Sequence, residues 1–228
     1  MMYRWLLPWV GLFSVSGCLD AGLGAGGDVN RDVLRNVTLY DGDVVVGGPP
    51  GYCIDKQSMR NRAEQGVVML ASCESLSGIR GREVEPVIMT LTVLPDQAGT
   101  TRPSARQVAA SMPDRQVIDS VDLDELSLVH FASGGNTAFE GKDPKHWRGA
   151  LAINGHLIGV ALYARQGSAA AGQSGRDLLV ALAQNTKANS PVRPVIVDAG
   201  AQSTDATTST PSPGGLGGLL GGLFPNSN

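Results

Sequence analysis

Few of the short motifs that identify an enzyme occur in this chain of 228 residues. It has no Gly-x-Ser-x-Gly nucleophile motif, no His-Glu-x-x-His zinc motif and no P-loop, and no Gly-x-Gly-x-x-Gly segment is followed by a helical pattern. Histidine is scarce, with only His130, His146 and His156. We interpret these as surface or edge histidines and expect no shared metal site. No motif therefore assigns a catalytic residue, a metal or a cofactor.

Aromatic and basic residues are also few. Aromatic side chains make up 5% of the chain, so we expect a core built from Val, Leu and Ile. The formal net charge is −3, and no cluster of Lys and Arg stands out. Because phosphate binding needs clustered Lys and Arg, we expect no nucleic-acid partner. The length suits one domain with a core of its own.

The chain has no apolar run at its start that is long enough for a transmembrane helix. Residues 5–13 are apolar but fall far short of the roughly 20 residues that span a bilayer. Arg4 precedes this run and small residues follow it, which is the order of a secretory signal peptide. An ordinary secretory signal that happens to contain a cysteine is one interpretation.

The residues Val15, Ser16, Gly17 and Cys18 favour a second interpretation, because they resemble the lipobox of bacterial lipoproteins. The resemblance implies cleavage after residue 17 and a diacylglycerol, with palmitate chains, on the Cys18 sulfur. Two or more acyl chains give stable membrane attachment. An Asp directly after the cysteine retains enterobacterial lipoproteins at the inner membrane. Leu19 stands there instead, so the resemblance implies the periplasmic face of the outer membrane.

Two cysteines remain once Cys18 is assigned to lipidation. Cys53 and Cys73 would lie in an oxidising compartment, where paired thiols usually form disulfides. A structural disulfide is therefore expected. A redox or catalytic thiol is the alternative, although the chain has no Cys-x-x-Cys motif.

Composition divides the chain into four parts: a signal peptide (1–17), a flexible tether (18–35), a folded domain (36–197) and a tail (198–228). The tail is a Ser/Thr/Pro stretch followed by a Gly/Leu stretch. Its apolar residues at helical spacing form a possible docking peptide for an envelope protein or the membrane surface: Leu216, Leu219, Leu220, Leu223 and Phe224. The alternative is a disordered tail with no binding role.

The first half of the folded domain reads as mostly strands. Residues 37–40 and 43–46 flank the turn signal Asp41-Gly42, and further strands are predicted at 52–54, 67–72 and 87–94. A helix is predicted at 58–65, with Glu64 beside Arg60 and Arg62 on a solvated face. A second helix is predicted at 104–112, where Ser104 and Gln107 match a capping box.

The second half contains the clearest pattern, a hairpin formed by residues 147–153 and 156–164 around Asn154-Gly155. Strands at 116–121 and 126–131 precede it. A helix at 175–186 follows, begun by Ser174 and Asp177, and is expected to pack on the hairpin. Large side chains share one face of the hairpin, which suits a core: Trp147, Leu151, Ile153, Ile158, Val160 and Leu162. The other face is mostly small, which suits a closely packed helix.

Together these elements predict an α+β domain: an antiparallel sheet with a C-terminal β-hairpin, packed by two or three helices. The order of its helices and strands loosely resembles PsbP-like envelope and thylakoid-lumen domains. Asp41, Asp43, Asp122 and Asp124 are interpreted as turn-forming acids rather than calcium ligands. We expect a non-enzymatic accessory or interaction module; the alternatives are a carrier of a small apolar ligand or lipid and, third, a hydrolase without a recognisable motif.

Overall fold

The computed structural model describes residues 33–193, and within them the chain is an α+β domain. Four α-helices and ten strands follow one another in this part of the chain. The strands are β1 (Asn36–Leu39), β2 (Val44–Gly47), β3 (Tyr52–Ile54), β4 (Arg60–Arg62), β5 (Gln65–Ser72), β6 (Ile88–Asp96), β7 (Val117–Asp122), β8 (Ser127–Phe131), β9 (His146–Ile153) and β10 (His156–Tyr163). The helices are α1 (Cys73–Ser77), α2 (Ala105–Ala110), α3 (Gly135–Ala138) and α4 (Gln173–Asn189). The predicted fold class is confirmed.

The large sheet is antiparallel and follows the order β3-β5-β6-β10-β9-β8-β7, with β4 paired to the other end of β5. β1 and β2 form a separate hairpin. The β9–β10 hairpin lies inside the sheet, so all of β10 is buried. Strands that are close in sequence therefore pair on either side of the sheet, and the pairing of β6 with β10 joins the first half of the domain to the second.

The β9–β10 hairpin has the register that its turn predicts. His156 pairs with Ile153 and Ile158 pairs with Leu151. Asn154 and Gly155 have φ of 52° and 85°, the positive values that a two-residue type I′ turn requires. The alternation of large and small residues therefore places the large side chains on one face, as expected.

The two faces of the sheet are covered by different elements. The large-residue face packs against α4 and the β1–β2 hairpin, where Leu179 and Leu182 join Trp147 and Leu162 in the main core. α2 covers the small-residue face, where Val108 and Met112 pack with other members of a second cluster: Phe131, Ala150 and Leu157. The helix expected on the hairpin is thus present, but on the large-residue face.

Two predictions about local structure are wrong. Residues 58–65 contain no helix, because Arg60–Arg62 form β4 and pair back onto β5. This segment has no apolar stripe to bury, and its backbone hydrogen bonds are instead satisfied by the neighbouring strand. Glu64 and the two arginines are exposed on this hairpin rather than on a helix.

Helix α4 also begins differently from the prediction. Its N-cap is Gly172 and no side chain caps it, while the Ser174 hydroxyl is buried without a hydrogen-bond partner. The helix ends at Asn189 rather than at residue 186. By contrast, the predicted capping box of α2 is present, with Ser104 and Gln107 bonded reciprocally. No helix within residues 33–193 is long and apolar enough to cross a membrane.

Candidate functional site

The predicted disulfide is present. Cys53 on β3 and Cys73 at the start of α1 are bonded, with their Cα atoms 4.8 Å apart. β3 pairs with β5 so that Cys53 lies opposite Ala71, which brings the end of β5 and the start of α1 next to it. Cys53 is fully buried, so the bond is part of the packed domain.

The three histidines are not on the surface. His130, His146 and His156 are 7%, 0% and 1% exposed, which contradicts their interpretation as surface or edge residues. Each ring contributes hydrogen bonds inside the fold, and this is why burial is tolerated. His146 and His156 begin β9 and β10 and so lie at opposite ends of the hairpin, as predicted.

His130 and Trp147 hold the segment that leads into α4. They are directly paired across β8 and β9, and their rings stack with centroids 4.4 Å apart. His130 Nε2 lies 2.8 Å from the carbonyl oxygen of Ala171, and Trp147 Nε1 donates to that of Gly172. Burial lowers the pKa of His130, so the neutral ring donates through Nε2. Trp147 is 1% exposed and belongs to the core, as predicted.

His156 connects the hairpin turn to the β1–β2 hairpin. Its Nδ1 lies 2.8 Å from the carbonyl oxygen of Leu94, and its Nε2 lies 3.4 Å from the carboxylate of Asp43. Arg193 also donates to this carboxylate; that bond is the main cause of the lowered pKa of Asp43, and the His156 contact adds to it. Asp43 therefore does more than form a turn, whereas Asp41 lies within the turn itself.

His146, Arg148 and Tyr163 form a buried polar cluster. Arg148 donates to His146 Nε2 at 3.3 Å and to the Tyr163 hydroxyl at 3.2 Å. Burial, followed by the nearby Arg148 charge, lowers the pKa of His146 to about 3. The neutral ring donates through Nδ1 to the Pro144 carbonyl oxygen and accepts from Arg148.

These histidines do not form a nucleophile–base pair. Within residues 33–193, none of the three rings forms a direct hydrogen bond to a hydroxyl or a thiol. Arg148 lies between His146 and the Tyr163 hydroxyl and donates to both. Catalytic triads require the base within hydrogen-bond reach of the nucleophile. In the same part of the chain no group of three or more His, Cys, Asp and Glu side chains can hold a metal ion.

Asp122 ends β7 and organises the start of α2. Its Oδ1 accepts from the backbone N–H of Ala105 at 2.8 Å and lies 2.6 Å from the Ser127 hydroxyl. The Ser127 bond is the main cause of the lowered pKa of Asp122, with contributions from Ala105 and Arg102. The carboxylate thus satisfies an N–H at the helix N-terminus, where negative charge is favourable.

One groove opens beside α4, and we call it the α4 groove. It has a volume of about 250 Å³ between the β7–β8 loop, β9 and α4. It is lined by apolar residues (Leu123, Leu126, Leu151, Val180 and Ala183) and by polar ones (Asp124, Glu125 and Gln184). Lys187 of α4 forms an ion pair with Glu125 of the loop. This contact ties the loop to the helix at the edge of the groove.

The remaining predicted site residues lie outside the described part of the chain. These are Cys18 and the proposed docking residues Leu216, Leu219, Leu220, Leu223 and Phe224. Comparison with known proteins found no match to a protein family, to a curated protein or to a solved structure. The lipobox and the likeness to PsbP-like domains therefore stay predictions.

Sequence reasoning missed Arg148, Tyr163 and Asp43 as members of these clusters. The type I′ turn contained the signal for the first two, because its register places Arg148 on the same face as His146 and brings Tyr163 close to both. Asp43 could not have been found this way. It is 113 residues from His156 in sequence, and only the packing of β1–β2 onto the sheet brings them together.

Proposed function

We propose that this protein is a lipid-anchored lipoprotein of the cell envelope that acts as a non-enzymatic interaction module. Cys18 carries the lipid, the domain faces the periplasm from the outer membrane, and the residues between Cys18 and Leu34, which pairs with Ile54 of the domain, form the tether. Leu216, Leu219, Leu220, Leu223 and Phe224 dock on an envelope protein. The observation that carries the non-enzymatic part is the use of all three buried histidines in holding the fold together.

The filled core supports an interaction module over a ligand carrier. Within residues 33–193, Trp147 and Leu162 of the sheet and Leu179 and Leu182 of α4 are each less than 2% exposed. The α4 groove, at about 250 Å³, lies just below the roughly 300 to 1,000 Å³ of typical ligand pockets. A carrier of a small apolar molecule is the second candidate, because Leu126, Leu151 and Val180 line this groove.

The anchor is tested by the mass of the protein purified from cell membranes. The proposal expects an N-terminal peptide that begins at Cys18 and carries a diacylglycerol and acyl chains. The variant Cys18→Ala should accumulate with residues 1–17 uncleaved, since the modified cysteine is required for cleavage in lipoproteins. A protein cleaved normally and released from the membrane in this variant would indicate an ordinary secretory signal.

The interaction role is tested by crosslinking in cells, with the full-length protein beside a version that ends at Thr210. Mass spectrometry identifies what is captured by each. A partner captured only by the full-length protein supports docking through the tail. A partner captured by both places the binding surface on the folded domain. With no protein partner in either sample, the interaction role fails, and bound small molecules should be extracted and identified.

A further inference from the structure

The α4 groove exposes apolar side chains that the rest of the described domain does not cover. Leu126, Leu151 and Ala183 lie at its base, each less than 8% exposed, while Leu123 and Val180 are half-buried at its sides. Apolar bases with polar rims are typical of pockets that take one or a few apolar side chains of a partner. An occupant should therefore be a short apolar segment.

The chain itself contains such a segment. Residues 214–224 consist only of Gly and Leu, apart from Phe224. From residue 206 to residue 228 no Asp, Glu, Lys or Arg occurs. An uncharged segment suits this groove because Glu125 is already paired with Lys187 and an anionic group would meet the negative charge of Asp124. The charge of Asp124 thus favours this segment over an anionic lipid surface.

Helix α4 ends close to the groove. Gln184 lines the groove, and α4 ends at Asn189, so five residues at about 1.5 Å each separate them along the helix axis. Beyond Arg193, 22 residues precede Leu216. A flexible linker of this length has a root-mean-square extension of about 25 Å. The segment can therefore reach the groove without strain.

Because the segment is tethered to the domain, a weak contact is sufficient for it to occupy the α4 groove. Short flexible linkers give effective concentrations in the millimolar range. A segment with an intrinsic Kd of about 1 mM would then occupy its own groove for about half of the time. Since the glycines allow close approach, two or three leucines can enter a groove of this size without a fixed helix.

We propose that the Gly/Leu segment of residues 214–224 binds the α4 groove of its own chain. The leucines and Phe224 contact Leu123, Leu126 and Val180. This inference goes beyond the proposed lipid anchor and envelope partner and does not depend on either. It identifies the groove as a surface that the protein masks itself.

The test uses photo-crosslinking in the full-length protein in cells, with a photoreactive phenylalanine analogue at residue 224. We expect a product of monomer mass in which residue 224 is joined to a peptide containing residues 123–126 or 180–184. The same analogue at Thr207 is the control and should give little of this product. A product of dimer mass, or crosslinks from residue 224 only to other regions, proteins or lipids, overturns the inference.

A pair of variants on α4 checks the groove directly. Val180→Asp places a charge in the groove and should reduce the intramolecular crosslink severalfold. Ala188→Asp places the same charge at an exposed position outside the groove and should leave the crosslink unchanged. If Val180→Asp does not fold, Leu123→Asp in the β7–β8 loop takes its place. An unchanged crosslink in the folded groove variant also overturns the inference.

Discussion

The rings of His130 and Trp147 lie 4.4 Å apart and 6° from parallel, and they bind consecutive carbonyl groups of the chain, those of Ala171 and Gly172. The two residues are opposite each other on β8 and β9, so the sheet fixes their separation. Gly172 is the N-cap of α4 and has no side chain to cap the helix. The stacked pair therefore positions the start of α4 through the carbonyl groups of the two residues before the helix, while no side chain caps the free N–H groups of its first turn.

Removing the indole donor should weaken this attachment. Trp147→Phe keeps an aromatic ring but removes the indole N–H donor, while the Gly172 carbonyl still accepts from the Gly175 N–H at 3.1 Å. The lost bond should therefore lower the free energy of unfolding by about 0.5–1.5 kcal/mol. Loss of ring volume adds to this. Urea unfolding of Trp147→Phe, His130→Gln and the double variant measures their coupling. Purely additive effects would show that the two rings do not act as a unit.

Acid should begin to destabilise the domain at a pH above the range in which carboxylates titrate. The pKa of His146 is about 3 in the folded chain against 6.5 as its ordinary value, so below pH 6.5 the unfolded chain binds a proton that the folded chain does not. The free energy of unfolding then falls as pH falls from 6.5 towards 3, by at most about 1.4 kcal/mol per pH unit for each such histidine. The lowered pKa of His130 acts in the same direction.

Urea unfolding at several pH values between 7 and 4 measures this dependence. Asp43 and Asp122 affect stability mainly below this pH range. Their pKa values are lowered from 3.8, so their stabilisation is lost only as the pH falls further. The variant His146→Gln cannot titrate and should show a smaller slope. A slope equal to that of the unaltered protein would mean that His146 does not carry the effect.

A close backbone approach makes Gly149 on β9 intolerant of a side chain. A Cβ atom there would lie 2.4 Å from the Ser127 carbonyl oxygen and 2.6 Å from the Leu128 side chain. Gly149→Ala should therefore destabilise the domain by about 1–3 kcal/mol. Gly81→Ala is the matched control, since a Cβ atom there meets only one atom, at 3.9 Å. Thermal unfolding of both variants should show a lowered melting temperature for Gly149→Ala alone.

How much of the domain could be predicted depended on whether local signals decide the structure. The Asn154-Gly155 turn fixed the register of β9 and β10, and Ser104 with Gln107 fixed the start of α2, because each is a local hydrogen-bonding or backbone requirement. The helix predicted at residues 58–65 was wrong because their hydrogen bonds go to β5, a partner that the local sequence pattern does not indicate. The interpretation of the histidines as surface or edge residues was wrong for the same reason.

The disulfide should contribute strongly to stability. It closes a loop of 20 residues, for which the chain-entropy account gives about 3 kcal/mol. The double variant Cys53→Ala/Cys73→Ala should unfold at a lower urea concentration by a corresponding amount. Reduction of the unaltered protein should have a similar effect, whereas the double variant should not respond to reductant. Equal stability of the oxidised and reduced protein would contradict this expectation.

Removal of residues 211–228 should leave the fold intact, even though the tail is proposed to bind the α4 groove. The core that includes Leu179, Leu182 and Trp147 is built from many residues within the described range 33–193. A half-occupied intramolecular contact with effective and dissociation concentrations both near 1 mM stabilises by only about 0.4 kcal/mol. Thermal unfolding of the chain that ends at Thr210 should therefore match the full-length protein within a degree or two, with the Cys53–Cys73 disulfide formed in both. A large loss of stability would show that the tail is part of the folded core rather than a segment that can leave its groove.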